Sequence, residues 1–270
     1  MPAAPRARTS RLSTTVRPCV FDEVPTVIGH RGLGSGLVAG QRQNTLGSFS
    51  AAVRSGARWV EADVRRTGDD TLVVAHDATY PDGTVLTDLS GAETDRRGTL
   101  RLRTLLDELP PVVGVNIDLK SSIEDCLRAP AGTTAGLLAT EVSDEVGRRP
   151  MMVSSFDPGA LHLLRQEAPS VPLGLLTWYR FPLEMAVAAC AHLDVEVLAL
   201  QAGSLGAAAR GRRADLRTVE RLLSLVHGCA RQLMIWCPRT ELARFLLAAG
   251  TDAVVVDDVP TVLGALAGSV

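Results

Sequence analysis

Seven side chains in the first half of this sequence have the types and spacing to do chemistry together. They are His30 and Arg31, the pair Glu61 and Asp63, His76, and the pair Asp118 and Lys120. Three carboxylates offer an all-oxygen ligand set suited to a hard cation such as Mg²⁺ or Ca²⁺ and unsuited to zinc. An imidazole with its ordinary pKa of ~6.5 gives and takes protons near neutral pH. Arginine and lysine neutralise a bound anion. Together these groups form the equipment of a metal-assisted phosphodiester chemistry. Lys120 stands out because it is the sole lysine; every other basic residue among the 28 Lys plus Arg is arginine.

Each group lies at the end of a short apolar run, which fixes what must position it. The runs 26–31, 59–65, 113–120, 151–156, 171–178, 196–203, 232–238 and 253–259 read as strands. Amphipathic segments at 44–55, 99–109, 134–147, 158–168, 182–193, 218–230, 240–249 and 260–267 alternate with them. Asn44 is a candidate cap for the first helix, and Asp157-Pro158 sets a cap before a first-turn proline. Eight such units predict an α/β fold, a single-domain (β/α)8 TIM barrel. A doubly wound open sheet is the alternative, weakened in its dinucleotide-binding form because no G-x-G-x-x-G follows the first strand. A ninth run, 71–77, follows 59–65 too closely for a parallel crossover and is expected to form an antiparallel hairpin strand. With Asp69-Asp70 at the centre of its turn, Asp63 would lie directly opposite His76.

Composition narrows the function classes. At 46% hydrophobic and 21% charged residues with a formal charge of −2, the chain reads as a globular protein, and nucleic acid is not an expected partner. The odd number of cysteines, without C-x-x-C spacing, indicates neither a disulfide framework nor a zinc site. Residues 1–25 hold Arg6, Arg8, Arg11 and Arg17 among Pro, Ala, Ser and Thr without an apolar core. They read as a disordered Arg-rich leader before a barrel domain at 26–270. No run is long enough to span a bilayer, so no stable membrane insertion and a cytoplasmic location are expected.

The order of motifs resembles the glycerophosphodiester phosphodiesterase family from about Val27 to Pro260. The resemblance rests on His30-Arg31-Gly32, Asn44-Thr45, Glu61-Ala62-Asp63, His76-Asp77 and Asn116-Ile117-Asp118-Leu119-Lys120. Ser155-Phe156-Asp157, the Trp236 strand and Asp258-Val259-Pro260 extend it. The resemblance implies a (β/α)8 barrel that hydrolyses glycerophosphodiesters to glycerol 3-phosphate and an alcohol. It implies acid-base roles for His30 and His76, with base and acid left unassigned, and a divalent metal held by Glu61, Asp63 and Asp118. Arg31 and Lys120 would contact the phosphate, and Trp236 is a candidate substrate platform. Two departures stand out: Gln43 precedes Asn44-Thr45 where the family usually has Glu, and Asp118 stands where it usually has Glu.

Competing readings remain at several positions. A barrel acting on lysophospholipids would need an apolar lip at its mouth, for which Leu33, Leu37 and Val38 are the nearby candidates. A barrel without turnover would follow if Gln43 had cost the site its activity. His162, His192 and His227 fall in predicted helices and read as structural. The arginine pairs 65–66, 96–97 and 212–213 read as solvated surface. Asp257 and Asp258 fit a cap for the last helix at least as well as a catalytic role.

Overall fold

A computed structural model describes residues 19–208 and 215–267. Eight parallel strands form the barrel: β1 (Thr26–Gly29), β2 (Trp59–Arg66), β3 (Gly114–Leu119), β4 (Met151–Ser155), β5 (Leu173–Leu176), β6 (Val197–Gln201), β7 (Gln232–Trp236) and β8 (Ala253–Val256). Neighbours in sequence are neighbours in the sheet, and β1 closes the ring by pairing with both β8 and β2. A helix follows each strand, so both faces of every strand are covered, and the strands read as continuous apolar runs. Asp157 caps the helix Pro158–Glu167 as expected, accepting from the Gly159 and Ala160 N–H groups.

The interior of the barrel is graded. Inward positions recur every second residue, and at the bottom they are apolar: Ile28, Trp59, Met152, Val197, Met234 and Ala253 form a core separate from the layer beneath the helices. Trp59 lies beside Gly114 on β3, where a Cβ would collide with the indole. Two and four residues further along β2 the inward positions become Glu61 and Asp63, so the strand carries its side chains from a dry floor to a polar mouth.

The floor is sealed from below by a segment expected to belong to the leader. Val20 and Phe21 are buried, and Phe21 packs edge-on against Trp59 with ring centroids 5.2 Å apart. Gln232 at the start of β7 accepts their backbone N–H groups at 2.7 and 3.0 Å. Val20 and Phe21, which precede the expected boundary at residue 25, thus pack with the barrel, while residues 22–25 between them and β1 are exposed; residues 1–18 lie outside those described.

The hairpin strand exists, Leu72–Val74 against the end of β2, but one residue out of the expected register. The pairs are Val64 with Val74, Arg65 with Val73 and Arg66 with Leu72, and Asp63 lies opposite Ala75, not His76. The cause is turn length. Thr67 donates its N–H to the Thr71 carbonyl at 2.9 Å, leaving a three-residue loop in which Asp70 takes φ 67°. Asp69 holds that loop by accepting from Thr67 Oγ1 and the Gly91 N–H. Arg65 and Arg66 are likewise not surface residues. Arg66 is buried and pairs with Asp125 at 2.7 Å, and Arg65 donates to the His76 carbonyl. Arg97 keeps the surface reading in an exposed pair with Asp82, and 212–213 lies outside the described residues.

At the barrel's outer wall, Glu145 and Arg149 form a fully buried ion pair, 3.1 Å apart, with Arg103 and Arg148 on the same carboxylate. Burial raises the Glu145 pKa, but hydrogen bonds from Arg103 and Arg149 outweigh it, and the net shift is downward. Its contribution to stability is therefore full above the unfolded-state value of ~4.3 and lost as pH falls through the lower folded value. Glu145→Gln strands the Arg149 charge and is expected to cost about 3–5 kcal/mol at neutral pH. Urea unfolding followed from pH 7 down to about pH 2–3, below the unfolded-state value, checks both points: a variant within 1 kcal/mol, roughly the error of such comparisons, would refute the assignment.

Candidate active site

The site begins where β1 turns away from the barrel. The His30 N–H still pairs with the Val256 carbonyl at 3.0 Å, but Arg31 takes φ 55° and Gly32 φ 97°. A Cβ at Gly32 would strike the helix Leu46–Arg54 at Ser48, so only glycine lets the turn pack there. This turn aims the Arg31 N–H at Glu61, donating to Oε2 at 2.9 Å, and places Nε of Arg31 3.1 Å from Asp63 Oδ2.

Strand pairing supplies the rest of the carboxylate cluster. Asp63 on β2 is the register partner of Asp118 on β3, and Glu61 is the partner of Asn116. Ligand oxygens of Glu61, Asp63 and Asp118 all lie within 4.8 Å of one another, and all three residues are buried. Lys120 bridges two of them, bonding Asp118 and lying 3.2 Å from Asp63 Oδ1. Asn44 has a different task from the expected one. Thr45 caps the helix, whereas Asn44, at φ 56°, donates its amide to Asp63 Oδ2 at 2.9 Å. Asparagine is among the few residues that tolerate that backbone conformation.

The electrostatics separate the three acids. Burial, reinforced by the charges of Asp63 and Asp118, drives Glu61 well above the ordinary carboxylate range. Burial pushes Asp118 up to about 7, with Lys120 acting in opposition. In Asp63, burial is overcome by Lys120, Arg31 and the Asn44 amide, and its carboxyl stays below its ordinary value. Glu61 Oε1 and Asp118 Oδ1 are buried without a hydrogen-bond partner. An oxygen-lined cluster with orphaned acceptors and carboxyls that resist ionising fits a bound divalent cation.

Both expected histidines reach the same cavity, a space of about 510 Å³ that is also lined by Arg31, Lys120 and Trp236. Nδ1 of His30 lies 2.6 Å from Asp257 Oδ1, and its Nε2 lies 3.8 Å from Glu61. His76 arrives without the help of strand register: the last hydrogen bond to β2 is the Ala75 N–H to the Asp63 carbonyl, the chain then bends, and the His76 Nδ1 meets Asp77 at 2.8 Å. In each case the carboxylate holds one ring nitrogen and leaves Nε2 for other partners. Of the two acids near the C-terminus, Asp258 caps the last helix by accepting from the Thr261 N–H, while Asp257 turns inward to His30.

Sequence reasoning missed Arg65 and most of an aromatic wall, read Asn44 as a helix cap, and left Asp257 between a cap and a catalytic role. Phe156 and Trp178 stack at 4.0 Å, and Trp236 meets Phe156 edge-on at 5.9 Å. The Lys120 ammonium lies 5.5 Å from the Phe156 ring centre, and the Trp236 indole N–H is buried without a partner. Aromatic residues just past strand ends were the available signal; nothing in the local sequence distinguishes Asp257 from its neighbour.

The fold is a (β/α)8 barrel with its polar groups gathered at the C-terminal ends of the strands, the end at which barrels of this kind build their active sites. The chain belongs to the glycerophosphoryl diester phosphodiesterase family, whose model matches residues 30–261. A glycerophosphocholine phosphodiesterase of Candida albicans is 47% identical over 64 residues, covering 22% of this chain and 5% of that protein. A Caenorhabditis elegans homologue of such an enzyme is 52% identical over 52 residues, 18% of this chain and 8% of that one. The chain thus matches a small part of these much longer proteins. Among solved structures, glycerophosphodiester phosphodiesterase from Thermotoga maritima aligns with TM-score 0.67 at 21% identity, covering 90% of this chain and 98% of that one. An Oleispira antarctica phosphodiesterase, solved with sn-glycerol-3-phosphate, aligns with TM-score 0.69 at 20% identity over 92% and 99%. At that identity these structures establish the shared fold.

If the carboxylate cluster holds a cation, adding Mg²⁺ or Ca²⁺ should raise the thermal midpoint, by an amount equivalent to ~2.7 kcal/mol at a hundred times the dissociation constant. Asp63→Asn should abolish the shift. Differential scanning calorimetry with and without EDTA decides it, and a midpoint indifferent to both cations would count against the cluster as a metal site.

Proposed function

We propose that this chain hydrolyses glycerophosphodiesters to glycerol 3-phosphate and an alcohol, in a divalent-cation-dependent reaction of glycerophospholipid metabolism. The observation that carries this reading is the convergence of two carboxylate-anchored imidazoles, two cations and a buried carboxylate triad on one cavity. Glu61, Asp63 and Asp118 would hold Mg²⁺ or Ca²⁺, which when bound supplies positive charge against the phosphoryl oxygens.

The remaining steps fall to the chain's own side chains. Lys120 has three donors, of which Asp118 and Asp63 engage two, leaving one for a phosphate oxygen. Arg31 is held by Gln43 and Asp63 with its guanidinium lining the cavity, placed to contact the same group. In the proposed chemistry the glycerol 2-hydroxyl attacks phosphorus and one imidazole takes its proton. The other protonates the departing alkoxide, and the cyclic phosphate then opens with water. Asp257 and Asp77 are placed to accept from Nδ1–H of their histidines, which turns each Nε2 toward the reaction, free on the ring that takes the proton and protonated on the ring that gives it. Trp236, Phe156 and Trp178 form an apolar wall for the substrate. The five unpaired cysteines suit a reducing compartment such as the cytoplasm, and no described helix is long and apolar enough to cross a membrane.

One feature favours a second substrate class, lysophospholipids. Leu33 is buried and Val38 half-buried, so the expected lip reduces to Leu37, but Ile123, Leu127, Trp178 and Tyr179 are also exposed on loops that follow barrel strands. A non-catalytic barrel is disfavoured by Gln43 itself. Its Oε1 accepts from Arg31 at 3.1 Å and from the Gly36 N–H at 2.6 Å, the task a carboxylate would perform.

Glycerophosphocholine should release glycerol 3-phosphate in a reaction that EDTA stops; choline release from lysophosphatidylcholine would favour the second class, and binding without turnover would refute both. His30→Ala and His76→Ala should each lower turnover about 10²-fold or more while keeping the cation-dependent thermal shift. Near-wild-type turnover in either variant would remove that histidine from the mechanism. Gln43→Glu should change turnover by less than about 10-fold, because the Arg31 contact survives, whereas Gln43→Ala should lose more. Steady-state kinetics on the two variants compares them directly.

A further inference from the structure

Beside the carboxylate triad lies a second cluster of different chemistry. His30, Cys237 and Asp257 come from the ends of β1, β7 and β8, and their ligand atoms lie within 4.8 Å of one another. Cys237 Sγ is 3.5 Å from His30 Nδ1 and 3.6 Å from Asp257 Oδ1, and the last two atoms are 2.6 Å apart. The triad offers only oxygen; this set offers nitrogen, sulfur and oxygen. With Zn–S ~2.3 Å and Zn–N or Zn–O ~2.0–2.1 Å, a tetrahedral site needs N···S and O···S edges of roughly 3.5 Å, and the protein already has both. The remaining edge must open from a hydrogen bond to roughly 3.3 Å, a small movement of the half-exposed Asp257 side chain.

Other features support a built position. All three residues line the cavity, so a fourth ligand position is accessible to water or to a phosphate oxygen. Cys237 takes φ 53°, a conformation uncommon for cysteine, and its N–H is held by the Val255 carbonyl at 2.9 Å. The thiol is thus presented at the His30–Asp257 pair by a fixed backbone.

We propose that His30, Cys237 and Asp257 bind a thiophilic divalent cation, Zn²⁺ in particular, and that this binding switches the enzyme off. The regulatory part rests on the reading of His30 as a proton-transfer group. Zn²⁺ on Nδ1 displaces the proton shared with Asp257; on the neutral imidazole that proton passes to Nε2, and the Cys237 thiol gives up its own to solvent. Nε2 then has no lone pair with which to accept a proton, and His30 cannot turn over. The carboxylate triad, with its harder donors, keeps its own cation.

The full chain is assayed at saturating Mg²⁺ while Zn²⁺ is titrated in. Zn²⁺ should inhibit the wild type, and Cys237→Ala should keep its turnover yet need at least about 10-fold more Zn²⁺ for the same inhibition. Co²⁺ gives a readout independent of activity. Wild type and Asp63→Asn should show a near-ultraviolet thiolate-to-Co²⁺ charge-transfer band that Cys237→Ala lacks. Equal Zn²⁺ sensitivity in Cys237→Ala, or a Co²⁺ spectrum without that band, would overturn the proposal. Because the spectrum needs no substrate, a chain inactive on every phosphodiester would refute the catalytic reading and still leave this site testable.

Discussion

Three carboxylates buried within reach of one another are the constraint around which the mouth of this barrel is built. Glu61, Asp63 and Asp118 face two permanent cations, Arg31 and Lys120, so the cluster is short of positive charge even when fully paired. The protein resolves the deficit unevenly. Asp63 takes contacts from both cations and from Asn44 and stays ionised, while Glu61 and Asp118 are pushed toward protonation. A low-dielectric wall makes each missing charge expensive, which is why neighbouring residues are tied to this group. The positive-φ turn at Arg31, the αL position of Asn44 and the lone lysine all serve one local balance.

That balance can exist because the barrel interior is stratified. Parallel pairing sets Asp63 beside Asp118 and, one inward layer below, Glu61 beside Asn116; the layer beneath is Trp59 against Gly114. The large indole below and the acids above belong to the same two-residue repeat. Ile28, Met152, Met234 and Phe21 complete the floor and keep water from entering the carboxylate layer from below. An apolar floor gives the polar mouth its low dielectric, and so strengthens both the attraction to a cation and the cost of lacking one.

Much of this was legible in the sequence because barrel strands encode their own geometry. Eight apolar runs, separated by amphipathic segments, located every barrel strand, and residues at strand ends located His30, Glu61, Asp63, Asp118 and Lys120 at one mouth. The failures have physical causes. Asp69-Asp70 suggested a two-residue turn, but Asp70 can adopt φ 67° and lengthen the loop, which slips the hairpin by one. His76 reaches the cavity through a bend that follows the pairing, which a register argument cannot see. Asn44 looked like a helix cap because Asn and Thr share that preference; only the tertiary position of Asp63 decides between them. Asp257 and Cys237 meet His30 across more than 200 positions of sequence, where no local pattern carries information.

Gln43 shows how the same electrostatic constraint shapes a departure from the family pattern. An amide oxygen there accepts from Arg31, from the Gly36 N–H and from Ser35, and so fixes the loop and the guanidinium together. A carboxylate would accept the same bonds and would bind Arg31 more strongly through charge. It would also bring another negative charge near a cluster that already drives two of its members toward protonation. Glutamine keeps the geometry and leaves more of Arg31's charge for Asp63 and for the cavity. The position therefore balances how firmly Arg31 is held against how much positive potential it projects into the cavity, and the amide favours projection.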